Sequence, residues 1–63
     1  MKGSKMGYKI EFDDSCMRWA DYAAVMQYEN MRLPWSFIEE LMDYVQGLGY
    51  DWFRVAYVWK VAA

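Results

Sequence analysis

The residues of this chain that could do chemistry are two pairs of adjacent carboxylates and one cysteine. Asp13 precedes Asp14, Glu39 precedes Glu40, and Cys16 is the single cysteine of the 63 residues. Paired carboxylates can share acid and base work in hydrolysis or bind a hard cation. A thiol at a helix start can become a nucleophile. These positions are therefore the candidates for a catalytic or metal-binding function.

The spacing of the carboxylates argues against both uses. Neighbouring residues point to different sides of a strand or helix, so the two acids of a pair do not converge on one point. Both pairs also lie at expected helix starts, where negative charge and side-chain acceptors stabilise the first turn. Helix capping therefore explains the four acids, and Cys16 is explained as a small buried apolar residue beside a cap.

Other residue types required by common catalytic sites are missing. The chain has no histidine, which removes the commonest general base, the Ser-His and Cys-His nucleophiles and most zinc sites. One cysteine can form neither an intramolecular disulfide nor a thiolate cluster. The glycines at 47 and 49 follow a helical pattern and precede a strand pattern, the reverse of the order that binds phosphate. We therefore expect a non-enzymatic protein without catalytic residues, metal ligands or cofactors.

The clearest secondary-structure signal lies in residues 34–61. Apolar residues recur at three- and four-residue steps through residues 37–48, which predicts an amphipathic helix. Ser36 and Glu39 fit a capping box at its start, and Gly47 fits a left-handed residue at its end. This helix should bury one face and expose an acidic one.

The residues after Gly49 alternate with a period of two, which predicts a β-strand. One face is wholly apolar and is expected to meet the core; it comprises Phe53, Val55, Tyr57, Trp59 and Val61. The other face mixes apolar and cationic residues and is expected to stay partly uncovered; it comprises Trp52, Arg54, Ala56, Val58 and Lys60.

The first half of the chain predicts a strand and a helix. Residues 8–13 alternate apolar and polar side chains, which is typical of a short half-buried strand. Residues 16–32 are rich in Ala and Met and free of Gly and Pro, which favours a helix. Two apolar strips follow that helix; the first contains Trp19, Tyr22, Ala23 and Met26, and the second Met17, Ala20, Ala24, Tyr28 and Met31. One strip would meet the sheet, and the other would meet the second helix or another molecule.

The order strand, helix, helix, strand predicts a small α+β domain with β-α-α-β topology. A helical hairpin between two strands returns the chain, so the strands pair as a two-stranded antiparallel sheet with both helices on one face. Residues 1–7 are expected to form a flexible N-terminal leader, and residues 8–63 the single domain. A two-stranded sheet is marginal alone and leaves open edges, so we expect a partner to complete it.

Charge and hydropathy argue against several partners. The net charge is −2 and Lys and Arg are not clustered, which argues against nucleic acid as a partner because its phosphates bind clustered cations. No apolar run reaches the roughly 18 residues of a membrane helix, and no secretory signal is visible. These patterns predict a cytoplasmic protein that does not bind membranes.

The aromatic content favours protein recognition. Aromatic residues make up 21% of the chain, with four Trp, six Tyr and six Met, and Trp, Tyr, Met and Arg are enriched at interfaces. We expect a small acidic module that binds a larger host protein, as an inhibitor or adaptor of the kind that phages and other mobile elements encode. The predicted partner-binding residues are Tyr28, Met31, Trp35, Trp52 and Arg54.

Two alternative functions stay open on the sequence. A self-associating homodimer would complete a four-stranded sheet and so remove the exposed strand edges. A nucleic-acid-contacting accessory module would stack single-stranded bases on an aromatic residue beside a cation, such as Trp52 with Arg54. Light scattering tests the first alternative, and oligonucleotide binding at low salt tests the second.

Overall fold

The computed structural model describes residues 7–61 of the chain. These residues form strand β1 (Gly7–Phe12), helix α1 (Trp19–Val25), helix α2 (Trp35–Gly47), helix α3 (Trp52–Val55) and strand β2 (Ala56–Val61). The two strands form an antiparallel sheet with the helices between them in sequence, so the predicted α+β fold is confirmed. The predicted leader lies outside the described residues except for Gly7, which belongs to β1.

The register of the sheet assigns each strand residue to one of two faces. Gly7 lies opposite Val61, and Phe12 lies opposite Ala56. Side chains of directly opposed residues in an antiparallel pair project to the same face. The inner face therefore carries Tyr8, Ile10, Phe12, Ala56, Val58 and Lys60. The outer face carries Lys9, Glu11, Tyr57, Trp59 and Val61.

The edge of β1 that faces away from β2 is covered by residues 29–33. The Tyr8 N–H donates to the Leu33 carbonyl at 2.9 Å, and the Leu33 N–H donates back to Tyr8 at 2.8 Å. Further along, the Asn30 N–H donates to the Ile10 carbonyl at 3.2 Å. Strand β1 is thus flanked on both edges, although only β2 pairs with it along its whole length.

The core lies between the inner face of the sheet and the helices. Helix α2 buries Ile38, Leu41 and Val45 at three- and four-residue steps, as its amphipathic pattern predicts. Trp52 packs edge-to-face against Phe12 with ring centroids 6.0 Å apart. The full core consists of Ile10, Phe12, Met17, Val25, Leu33, Ile38, Leu41, Val45, Trp52, Val55 and Ala56.

The predicted core face of the last strand is wrong because the strand starts late. The Asp51 carboxylate accepts a hydrogen bond from the Phe53 N–H at 3.1 Å and so caps the short helix α3. A helical turn buries residues three apart, which here are Trp52 and Val55. The strand therefore begins with Ala56 facing inward. Its alternation then places the aromatic residues of β2 on the outer face.

The first helix is shorter than the predicted 16–32. The Asp13 carboxylate accepts from the backbone N–H and the hydroxyl of Ser15, at 2.9 and 2.5 Å, which folds the chain into a turn before α1 begins. A single 3₁₀ turn, Met26–Tyr28, follows α1. Asn30 then adopts a positive φ of 64°, which interrupts helix and lets residues 29–33 run along β1.

The predicted start of α2 is also wrong in detail. Pro34 occupies the N-cap position, and no side chain caps the helix. The Pro34 carbonyl instead accepts from the N–H groups of Phe37 and Ile38, at 3.0 and 3.1 Å. Ser36 and Glu39 therefore lie inside the helix and do not form a capping box, because the fixed φ of proline suits the helix start without one.

The end of α2 is set by Gly49 rather than by the predicted Gly47. Gly47 is the last helical residue, whereas Gly49 has a φ of 101°. The Gly49 N–H donates to the Gln46 carbonyl at 3.0 Å, and the Tyr50 N–H donates to Val45 at 3.3 Å. These two bonds form a Schellman motif, which satisfies carbonyls that the helix leaves unpaired.

Candidate protein-binding surfaces

The predicted partner-binding residues are spread over different parts of the fold. Tyr28 and Met31 lie in the connection between α1 and α2, and Trp35 is the first residue of α2. Met31 and Trp35 are exposed, and Tyr28 is half-buried. The Trp35 ring lies 5.0 Å from that of Tyr8, which fixes the start of α2 against β1. Arg54 is exposed on α3.

Trp52 lies in the core and not on the partly uncovered strand face that the sequence predicts. Its side chain is 4% exposed and packs against Phe12 in the core. The prediction placed it on a strand face beside Arg54, but both residues lie in α3. The error follows from the helical turn, which points Trp52 inward and leaves its neighbour Phe53 81% exposed.

A groove of about 310 Å³ lies between α1 and α2. Its floor contains Val25 and Leu41, which are core residues of the two helices. Its wall contains the rings of Tyr28 and Phe37, which pack edge-to-face with centroids 5.0 Å apart. A volume of this size is at the lower end of the range found for ligand pockets, and it would hold a large apolar side chain.

The rim of the groove supplies polarity on one helix. Among the described residues that line it, Glu40 is the charged one, and Tyr44 is 49% exposed beside it. Glu39 is also exposed but does not line the groove. The groove therefore combines an apolar interior with one carboxylate that can pair with a cation.

Hydrogen bonds around Tyr50 hold α1 in position beside the end of α2. The Tyr50 hydroxyl donates to the Asp21 carboxylate at 2.6 Å and accepts from the Arg18 N–H at 3.0 Å. The Arg18 guanidinium also donates to Asp21, at 3.3 Å. Donation from Tyr50, with a smaller contribution from Arg18, lowers the pKa of Asp21 from its ordinary value. This cluster fixes α1, which forms one side of the groove.

A second cleft, of about 420 Å³, contains the lone cysteine and Arg54. The Cys16 thiol lies 3.4 Å from the Asp13 carboxylate and can donate to it. Hydrogen bonds from Ser15 lower the pKa of Asp13. Reactive cysteines lie in electropositive surroundings or at helix starts, whereas this thiol contacts an acid and precedes α1 by three residues. The thiol is exposed, so the expected burial of Cys16 is wrong, and its contact with Asp13 supports a structural turn rather than a nucleophile.

The outer face of the sheet carries aromatic residues that the sequence prediction assigned to the core. Tyr57 is 52% exposed and Trp59 is 47% exposed. They lie opposite Glu11 and Lys9 of β1. The signal that could have placed them outside is Asp51, since an N-cap at that position implies a helical turn before the strand and so reverses its faces.

Comparison with protein-family models, curated proteins and solved structures gives no match to this chain. Within residues 7–61, no three potential ligands of the His, Cys, Asp and Glu types converge on a metal site. No helix in the same residues combines the length and apolar content needed to cross a bilayer. The proposals on function accordingly depend on the groove and on the sheet.

Proposed function

We propose that this chain is a small acidic, non-enzymatic module that docks on a larger protein through the groove between α1 and α2. The observation that carries the proposal is the groove itself, an apolar space of about 310 Å³ with an aromatic wall and an acidic rim. Protein interfaces concentrate their binding energy where a large side chain fills such a space and excludes water. Occupying a partner's surface in this way is how an inhibitor or adaptor acts.

The groove also specifies what its partner would present. The apolar floor and the Tyr28 and Phe37 rings suit a side chain of leucine or phenylalanine size. The Glu40 carboxylate at the rim suits a lysine or arginine next to that anchor. A charge at the rim of an interface acts mainly on selection of the partner and on the rate of encounter. Tyr28 is the predicted partner-binding residue that contributes to this groove.

Two adjacent carboxylates provide a matched test of the docking site. Glu39→Lys and Glu40→Lys change the charge of α2 equally and at neighbouring positions, but only Glu40 lines the groove. Each tagged variant would be expressed in cells of the source organism, and captured proteins would be quantified by mass spectrometry. We expect a partner that is recovered with the original chain and with Glu39→Lys, and is strongly depleted with Glu40→Lys.

A second variant tests the apolar part of the same groove. Tyr44→Ala shortens an exposed side chain at the rim and should leave folding intact, which circular dichroism would check. Loss of the same partner would support the groove as the docking site. Equal recovery of the partner with all three variants would contradict it.

A further inference from the structure

The edge of β2 that faces away from β1 has no hydrogen-bonded neighbour within residues 7–61. In an antiparallel strand, every second residue points both its N–H and its C=O toward one edge, and the residues between them point theirs toward the other edge. Tyr8 bonds to Leu33 on the far side of β1, so Lys9, which alternates with it, bonds toward β2. Lys9 lies opposite Trp59. Trp59 therefore bonds toward β1. The residues on either side of it direct their N–H and C=O groups away from β1, toward the open edge, and are called outward-directed below.

The outward-directed residues of β2 are Val58 and Lys60, together with the carbonyl of Ala56, whose N–H is bonded to the Trp52 carbonyl. The described part of the sheet has two strands, and its one additional bridge lies on the β1 side. A row of unpaired backbone groups binds an extended segment, because only an extended backbone presents matching groups at the same spacing. This edge is consequently a site for another strand rather than for a helix or a small ligand.

We propose that the strand bound there is β2 of a second copy of this chain, paired antiparallel about a two-fold axis through Val58. The two domains would then share a four-stranded sheet, and each would remove the open edge of the other. Such an interface is isologous, since the same surface is used on both copies. The inference is independent of the groove between α1 and α2, because it depends on a strand edge and not on the helices.

The sequence of β2 restricts how two copies can align. Two residues can lie opposite each other across the new edge only if both point their backbone groups toward that edge or both point them away from it. Because these two kinds of residue alternate along β2, the two-fold axis must pass through a residue and not between two residues. An axis through Lys60 would oppose two like charges, which is destabilising. An axis through Tyr57 would oppose Trp59 to Val55, which belongs to α3 and is not extended. Axes through Val58 and Trp59 remain.

The axis through Val58 makes fuller use of the aromatic residues. It places Tyr57 opposite Trp59 of the second copy, and this pair occurs twice. It also places Lys60 opposite Ala56 of the second copy, so that no like charges face each other. An axis through Trp59 would pair the two indoles with each other but would leave Tyr57 opposite Val61. Aromatic pairs across neighbouring strands stabilise a sheet, which favours the axis through Val58.

Sedimentation of a chemically synthesised chain tests the edge. N-methylation of Val58 removes one outward N–H and leaves the intrachain ladder intact. The control is N-methylation of Trp35, the first residue of α2, where a helix tolerates a missing N–H. We expect a dimer for the original chain and the Trp35 control, and half that mass for the Val58 variant, all with the same circular dichroism spectrum. A monomer at the highest soluble concentration of the original chain would overturn the proposal.

Disulfide trapping tests the register. In a Cys16→Ser background, Tyr57→Cys and Trp59→Cys chains would be oxidised with glutathione, separately and as an equal mixture. The proposed axis brings position 57 opposite position 59 of the second copy in a non-hydrogen-bonded pair, with Cα atoms about 4.5 Å apart, within disulfide reach. We expect covalent dimers from the mixture only. Covalent dimers from Trp59→Cys alone would place the axis through Trp59 and overturn the assignment.

Discussion

The Tyr22 hydroxyl donates a hydrogen bond to one oxygen of the Glu29 carboxylate at 2.8 Å, while the Phe12 N–H donates to the other oxygen at 2.7 Å. One side chain thus joins α1 to the edge of β1 that faces away from β2. The carboxylate takes the place that a backbone carbonyl would occupy in a third strand. The Phe12 N–H is therefore paired at a position that the backbone of residues 29–33 does not reach.

Replacing Glu29 should destabilise the domain more than replacing another acid near it. Glu29→Ala leaves a half-buried strand N–H and the Tyr22 hydroxyl without their acceptor, and the free energy of unfolding should fall by about 1–3 kcal/mol. Glu11→Ala is the control, because Glu11 is an exposed residue of the same strand and should change stability by less than about 0.5 kcal/mol. Urea unfolding followed by tryptophan fluorescence measures both. Equal losses would show that the Glu29 bridge contributes nothing of its own.

Stability should also decline at alkaline pH through Tyr22. The hydrogen bond to Glu29, then burial and the negative charge of that carboxylate, raise the pKa of Tyr22 above its ordinary 10.0. Because the unfolded chain loses this proton first, the stabilisation is complete below about pH 10 and is lost as the pH rises through the folded pKa. Unfolding free energies measured from about pH 9 upward should show a shallower decline in Tyr22→Phe. Identical slopes in the two proteins would contradict this assignment.

The two glycines near the end of α2 should respond to alanine in opposite directions. Gly49 has a φ of 101°, where an L residue is strained even though a Cβ would meet nothing within 4 Å. Gly49→Ala should therefore lower the unfolding free energy by about 1–2 kcal/mol. Gly47 is helical and its Cβ position is equally open, so Gly47→Ala should raise it by about 0.5–1 kcal/mol. Thermal unfolding of both variants checks the signs, and the same sign for both would refute the Schellman assignment.

Neighbouring aromatics of α3 provide a test of the corrected core face. Trp52 is 4% exposed and Phe53 is 81% exposed. Trp52→Ala should lower the unfolding free energy by about 3–5 kcal/mol, which is comparable to the whole stability of a domain this small. Phe53→Ala should change it by less than about 0.5 kcal/mol. Thermal unfolding followed by circular dichroism compares the two variants. A larger loss of stability in Phe53→Ala than in Trp52→Ala would show that Phe53, and not Trp52, faces the core.

Local patterns predicted those parts of the fold that depend on a single periodicity. The alternation in residues 8–13 located β1, and the helical spacing of Ile38, Leu41 and Val45 identified the buried face of α2. The antiparallel order followed because a helical hairpin reverses the chain. These features depend on neighbours in sequence, which is why one sequence was enough to predict them.

The remaining features depend on side chains that compete with the periodicity. Asp51 starts a helical turn inside an apparently continuous strand pattern, and this one residue reverses the faces of β2. Asn30 ends the helical segment because residues 29–33 gain backbone partners along β1. Such tertiary gains are invisible to a helical pattern, so the first helix was predicted too long.

The candidate groove was predictable only in part. The residue type of Tyr28 predicts a partner contact, and Tyr28 lines the groove, whereas the helical pattern assigns Phe37, its neighbour in the wall, to the core face of α2. The sequence pattern correctly places Glu40 on a helix, but it predicts a place in the first turn, which in α2 contains no acidic residue. Bringing these residues together requires the angle between α1 and α2, which the Tyr50 hydrogen bonds to Arg18 and Asp21 help to set.

The register that joins Gly7 to Val61 has a consequence for how this protein is made. Strand β1 must wait for β2, because neither α1 nor α2 can complete the sheet alone. During translation β1 can bond only to residues 29–33, through its far edge. We expect the inner face of the sheet to stay incomplete until residues 56–61 have been synthesised, because the pairing joins residues far apart in sequence and is therefore a late step of folding.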